Sequence, residues 1–128
     1  MLCWHLTLKV LFFLDNYEKV IQSTKAKNPM VKVFLAVGGW ANGGKPFSDM
    51  ALSKESRKIF IDSVIELLTE YKFDGMDLDW LYPVTRDGRP EDKENFVKLI
   101  EVSLLIHLED TSIPLTYLFV KGSEVSRM

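Results

Sequence analysis

Two spacings of apolar residues alternate along the chain. Val31-Lys32-Val33-Phe34-Leu35-Ala36-Val37 is a β-branched apolar run that predicts a strand covered on both faces, stopping at Gly38-Gly39. After a loop containing Ala41, Asn42, Gly43, Gly44 and Pro46, Ser53 predicts an N-cap with Glu55 in the first turn. Phe60, Val64, Leu67, Leu68 and Tyr71 then recur at helical spacing. Phe73 to Tyr82 predicts the next strand, closed by Pro83, which has no amide donor for a ladder. Pro90, at a first helical position, opens a helix with Phe96, Val97, Leu99, Ile100 and Leu104 inward, ending near Leu108. Upstream, Leu6 to Leu14 is strand-like or ambiguous between strand and helix. Asp15 or Asn16 then caps a helix with the stripe Tyr17, Val20, Ile21 and Thr24, ended by Asn28-Pro29. Ile113 to Val120 is a last strand candidate before a frayed tail.

Strands alternating with helices predict an α/β fold with right-handed crossovers and a parallel sheet. Two architectures compete. One is an open doubly wound sheet, usually with a glycine-rich phosphate turn that Gly38-Gly39 matches poorly. The other is a partial (β/α)8 TIM barrel with roughly half of the βα units, since a closed barrel uses about 250 residues and the chain has 128.

Composition narrows the partners. Sixteen Lys and Arg against eighteen Asp and Glu give a formal charge of −2, with no basic field for phosphate backbones, so no nucleic acid is expected. One cysteine, Cys3, makes neither an internal disulfide nor a thiolate metal knuckle. His5 and His107 are isolated, so no metal and no cofactor is expected. The start, MLCWHLTLKVLFFL, lacks a basic n-region and a small-residue cleavage site, so it is not a convincing signal peptide. No segment reaches the roughly 18 unbroken apolar residues of a membrane span.

The chemistry lies in Asp74-Gly75-Met76-Asp77-Leu78-Asp79-Trp80-Leu81-Tyr82-Pro83. Alternation puts Asp77, Asp79 and Leu81 on one face and Met76, Leu78, Trp80 and Tyr82 on the other. Two carboxyls within about 7 Å on one buried strand are costly unless one is protonated or both are hydrogen-bonded, so the pattern points to a site. A plainer reading leaves them solvated, capping nearby turns.

This segment resembles the fourth-strand signature of the family 18 glycoside hydrolases, the chitinases and chitinase-like lectins. Lys32 to Trp40, KVFLAVGGW, is similar to the family's third-strand motif. FSDM with the following helix, and RDGRPEDKENFVKLI, are similar to segments of arthropod chitinases. The resemblance is clearest over residues 17–101 of one partial domain, with 1–14 and 102–128 as divergent ends. It implies a barrel whose site lies at the C-terminal strand ends. It also implies a retaining mechanism in which the last glutamate of DxxDxDxE protonates the glycosidic oxygen and the substrate's acetamido group attacks the anomeric carbon. By the same resemblance Asp79 orients that acetamido group and Asp77 shares its proton. Gly38 and Gly39 give a ligand backbone access, and Trp40 and Tyr82 line the cleft. Tyr82 can do so only if the strand ends and twists before it. A packing role at a strand end is the plain alternative for Trp40, and a core position under the next helix for Tyr82.

The departure is at Leu81, where the family's glutamate would stand. Leucine has no proton to donate, and general acid catalysis contributes about 10²- to 10⁴-fold. The expectation is a non-hydrolytic protein that binds chitin or N-acetylglucosamine oligosaccharides, extracellular by resemblance and prone to self-association through open sheet edges. The alternatives are an endochitinase acting in chitin catabolism and an inactive truncated fragment.

Overall fold

The computed structural model describes the backbone of residues 14–109 and 118–120 and the side chains of residues 17–103. The chain divides into two compact units, Met1–Val33 and Phe34–Met128. In the first, helix α1 spans Leu14–Lys27. It begins at the last residue of the strand-like or ambiguous segment, and the rest of that segment lies outside the described residues. Asn28 closes the helix: its backbone N–H donates to the Thr24 carbonyl, and its own carbonyl accepts from Val31 N–H. Its side-chain oxygen accepts from Met30 N–H, a local Asx turn.

That turn explains one difference from the sequence expectation. The Val31 amide is engaged locally, and strand β1 starts only at Phe34, running Phe34–Gly38. Nor is β1 covered on both faces, for Leu35 is buried while Ala36 is exposed. A short 3₁₀ turn, Trp40–Asn42, follows. Helix α2, Lys45–Ala51, then stands where a loop is expected, its first turn carrying Pro46. Helix α3 spans Lys54–Tyr71 and starts as predicted at Ser53. The Ser53 hydroxyl accepts from Ser56 N–H while the Ser56 hydroxyl accepts from Ser53 N–H, a reciprocal capping box. Its buried stripe is Arg57, Ile61, Val64 and Leu68: Val64 and Leu68 are buried as predicted, while Phe60, Leu67 and Tyr71 are only half-buried.

Strand β2 is Gly75–Asp79, shorter than the predicted Phe73–Tyr82. Helix α4 is Asp92–Glu109, and it starts at Asp92 because Asp92 itself caps the preceding turn, accepting from Arg89 N–H. Within it Phe96 and Leu99 are buried as predicted, but Val97 is exposed. Strand β3, Leu118–Val120, falls inside the predicted last strand, whose earlier residues and tail lie outside the described residues. The strands form a parallel sheet in the order β1-β2-β3. Phe34 pairs with Gly75, Gly38 with Asp79, and Met76 with Leu118.

Helices α2, α3 and α4 pack together, with α3 against β2. Met76, Leu78 and Trp80 point into this layer and are nearly inaccessible. Trp80 sits between Phe47 of α2, stacked at 5.7 Å, and Phe96 of α4, edge-on at 5.6 Å. Aromatic pairs at these separations add to the area term of burial. Replacing Trp80 by alanine opens a large cavity at the meeting point of two helices and a strand. We expect Trp80→Ala to cost about 3–5 kcal/mol in chemical denaturation, against less than about 1 kcal/mol for alanine at exposed Ile59.

Candidate functional site

The buried trio Met76, Leu78 and Trp80 determines where the other residues of β2 face. Asp77 and Asp79 alternate with them and turn away from the helix layer, each partly exposed. One oxygen of each carboxyl, Oδ1, is nevertheless buried and has no hydrogen-bond partner among the described residues. A buried, unsatisfied acceptor costs roughly 1–3 kcal/mol and is uncommon without a reason. On the β1 side, Ala36 lies beside Asp77 and Gly38 beside Asp79 in the register, so β1 crowds neither carboxyl with a large side chain; on the β3 side Asp77 pairs with Phe119.

The pairing of β1 with β2 continues just past the end of β1, where Gly39 N–H donates to the Asp79 carbonyl at 2.9 Å. Gly38, at φ 116°, lies so close that a Cβ there would stand 2.4 Å from the Asp79 carbonyl oxygen and 2.7 Å from the Phe47 ring. Only glycine fits this junction. The chain then turns into Trp40, a residue that is 64% exposed. Leu81 follows Trp80 directly and is half-buried. The Leu81–Tyr82 peptide is cis, and Tyr82, beyond the end of β2, is 38% exposed. Plain alternation sends Tyr82 to the helix side, but the strand stops three residues earlier. Gly38, Gly39, Trp40, Asp79, Leu81 and Tyr82 thus lie at or just beyond the C-terminal ends of two adjacent parallel strands, with Asp77 at the middle of β2.

The sequence pattern does not single out the residues that hold the loop beyond β2. Val84, Arg86 and Asp87 all adopt positive φ, at 74°, 52° and 68°, a conformation costing about 1–3 kcal/mol for residues other than glycine. The loop is anchored at several points. Gly44 N–H donates to the Arg86 carbonyl at 3.1 Å, and Gly88 N–H to that of Thr85. The Arg86 guanidinium lies 4.0 Å from the centroid of the Trp40 ring and donates to the Trp40 carbonyl.

Beneath, a polar network joins α2 to the start of α4. Ser48 and Asp92 are fully buried and bonded at 2.8 Å, and the Arg89 guanidinium donates to Ser48 Oγ at 2.7 Å and to Asp49 Oδ1 at 2.6 Å. Lys45 adds an ion pair to Asp49 at 2.7 Å. The one visible signal for this network is the run Asp87-Gly88-Arg89-Pro90-Glu91-Asp92, too polar to be core by composition. Among the described residues, no group of three His, Cys, Asp or Glu side chains is placed to hold a metal ion. No helix among them is long and apolar enough to cross a membrane.

Comparison with known proteins gives this arrangement its family. The family model described as glycosyl hydrolases family 18 matches residues 4–104. The chain belongs to glycosyl hydrolase family 18. Among family 18 relatives, it is 43% identical over 84 residues to a probable chitinase 2 of Drosophila melanogaster, covering 66% of this chain and 17% of that protein. It is 44% identical over 81 residues to an endochitinase of Manduca sexta, covering 62% and 15%. The Ostrinia furnacalis Group IV chitinase, solved in complex with allosamidin, superposes with a TM-score of 0.72 at 35% identity, over 80% of this chain and 28% of that one. The chain therefore spans less than a third of these family 18 proteins.

Lys45, first, and then Arg89 hold the Asp49 carboxyl below the usual 3.8 through their hydrogen bonds. A lowered carboxyl stabilises the fold above its ordinary value, and that contribution is lost as pH falls through the lowered one. We expect Asp49→Asn to melt below the unmodified chain at neutral pH, with the gap closing as pH drops under about 4. A gap independent of pH contradicts this account of the network.

Proposed function

We propose that this chain is a carbohydrate-binding, non-hydrolytic member of family 18, whose ligand is chitin or N-acetylglucosamine oligosaccharide. The observation that carries the reading is Leu81. It stands two residues beyond the end of β2, directly after Trp80, at the position the family resemblance reserves for the proton-donating glutamate. Its side chain has nothing that ionises or donates. Asp77 and Asp79 lie earlier on the strand, so neither reaches the place of that missing group.

The remaining features favour binding. The indole of the exposed Trp40 offers an apolar plate for the flat face of a pyranose, and the partly exposed Tyr82 adds a phenol. By the family resemblance Asp79 orients the acetamido group, and its buried Oδ1 has hydrogen-bonding capacity unused among the described residues. Solved relatives support the ligand class: a tobacco class V chitinase has been solved in complex with NAG4 and the Ostrinia enzyme in complex with allosamidin. The three parallel strands with crossover helices on one side support a partial (β/α)8 barrel, treated as one partial domain over residues 1–128. An extracellular setting and self-association through the outer strands belong to the same reading.

We expect the purified chain to be retained on chitin beads, with retention reduced at least tenfold in Trp40→Ala, and to release no fluorophore from a chitobiose conjugate. Release of fluorophore would overturn the assignment of Leu81. A chain that passes through the beads unretained sinks the binding reading.

A further inference from the structure

The contact between Arg86 and Trp40 joins two segments far apart in the chain. Trp40 is on the 3₁₀ turn after β1, and Arg86 is on the loop after β2, 46 residues later in the chain. The guanidinium carbon is 4.0 Å from the indole centroid, close enough for a strong cation–π contact. The same guanidinium donates through Nη1 to the carbonyl of Trp40 itself. Arg86 therefore grips this residue twice, by its ring and by its backbone. An exposed tryptophan on a short turn otherwise has several rotamers to lose when it stacks on a ligand, which weakens binding. A planar cation over the ring and anchored to its carbonyl removes much of that freedom in advance.

The loop is held in the geometry this grip requires. Arg86 has φ 52°, and its carbonyl accepts from Gly44 N–H. The residue whose side chain reaches Trp40 is thus fixed through its own backbone to the start of α2. Lysine could supply the charge but not a flat cation that stacks and donates along its edge in one geometry.

We propose that Arg86 is the positioning residue for Trp40: it fixes the indole with one face against the guanidinium, so that only the opposite face is offered to a ligand ring. The sugar part of this inference rests on the binding reading above; the grip on the indole does not.

Two measurements on the full chain separate them. In NMR spectra without ligand, the Arg86 side-chain resonances should show upfield ring-current shifts that vanish in Trp40→Phe less completely than in Trp40→Ala. Absence of those shifts overturns the proposal. In titrations with tetra-N-acetylglucosamine followed by tryptophan fluorescence, Arg86→Ala should weaken binding by about threefold to tenfold. Arg86→Lys should fall between Arg86→Ala and the unmodified chain, and both variants should melt within a few degrees of it. Unchanged affinity in Arg86→Ala overturns the positioning role, as does a loss of affinity that Arg86→Lys fully restores, because charge alone would then suffice. Ring-current shifts in a chain that binds no tetrasaccharide would support the grip on Trp40 and overturn the sugar-binding reading instead.

Discussion

The clamping of Trp80 between Phe47 and Phe96 is the interaction on which the placement of everything else depends. It fixes the rotation of β2 about its own axis, because a strand whose even-numbered residues are locked into a helix layer has no choice about its odd-numbered ones. A slip of one residue would drive Asp77 and Asp79 into an apolar interior, a cost that no hydrogen bond in that layer could offset. The apolar side of the strand, far from the chemistry, is therefore what aims the carboxyls.

This arrangement was legible in the sequence to the extent that side-chain periodicity governs it. The alternation through Met76 to Trp80 and the Ser53 cap depend on neighbours one to three residues away, and the structure has both. The misreadings have longer-range causes. Helix α2 is hidden because its start is punctuated by glycines and a proline, and its stability comes from contacts with α3 and α4 that no local window reveals. Val97 was expected inside because it is apolar, whereas Asn95 takes the buried place beside Phe96. Among the site residues, Trp40 and Leu81 could be picked out by the motifs they sit in. Arg86 could not, since its significance is a meeting with a residue 46 positions away.

The polar network under the site follows a different logic from the aromatic clamp. Ser48 and Asp92 are each as inaccessible as any leucine of the core, yet the Ser48 hydroxyl both donates to Asp92 and accepts from Arg89. Satisfied in this way, buried polar groups specify one arrangement of α2 against α4, where apolar side chains would tolerate several. The aromatic layer sets how deeply the helices pack, and the network sets their register along one another.

Gly44 shows what this means for the two loops. A Cβ there would come within 2.5 Å of the Thr85 carbonyl oxygen and 2.7 Å of that of Arg86. Any larger residue at 44 must therefore displace the peptide carrying Arg86 and, with it, the cation above the indole. A substitution at 44 would be felt first in the second loop and would need a compensating shift there.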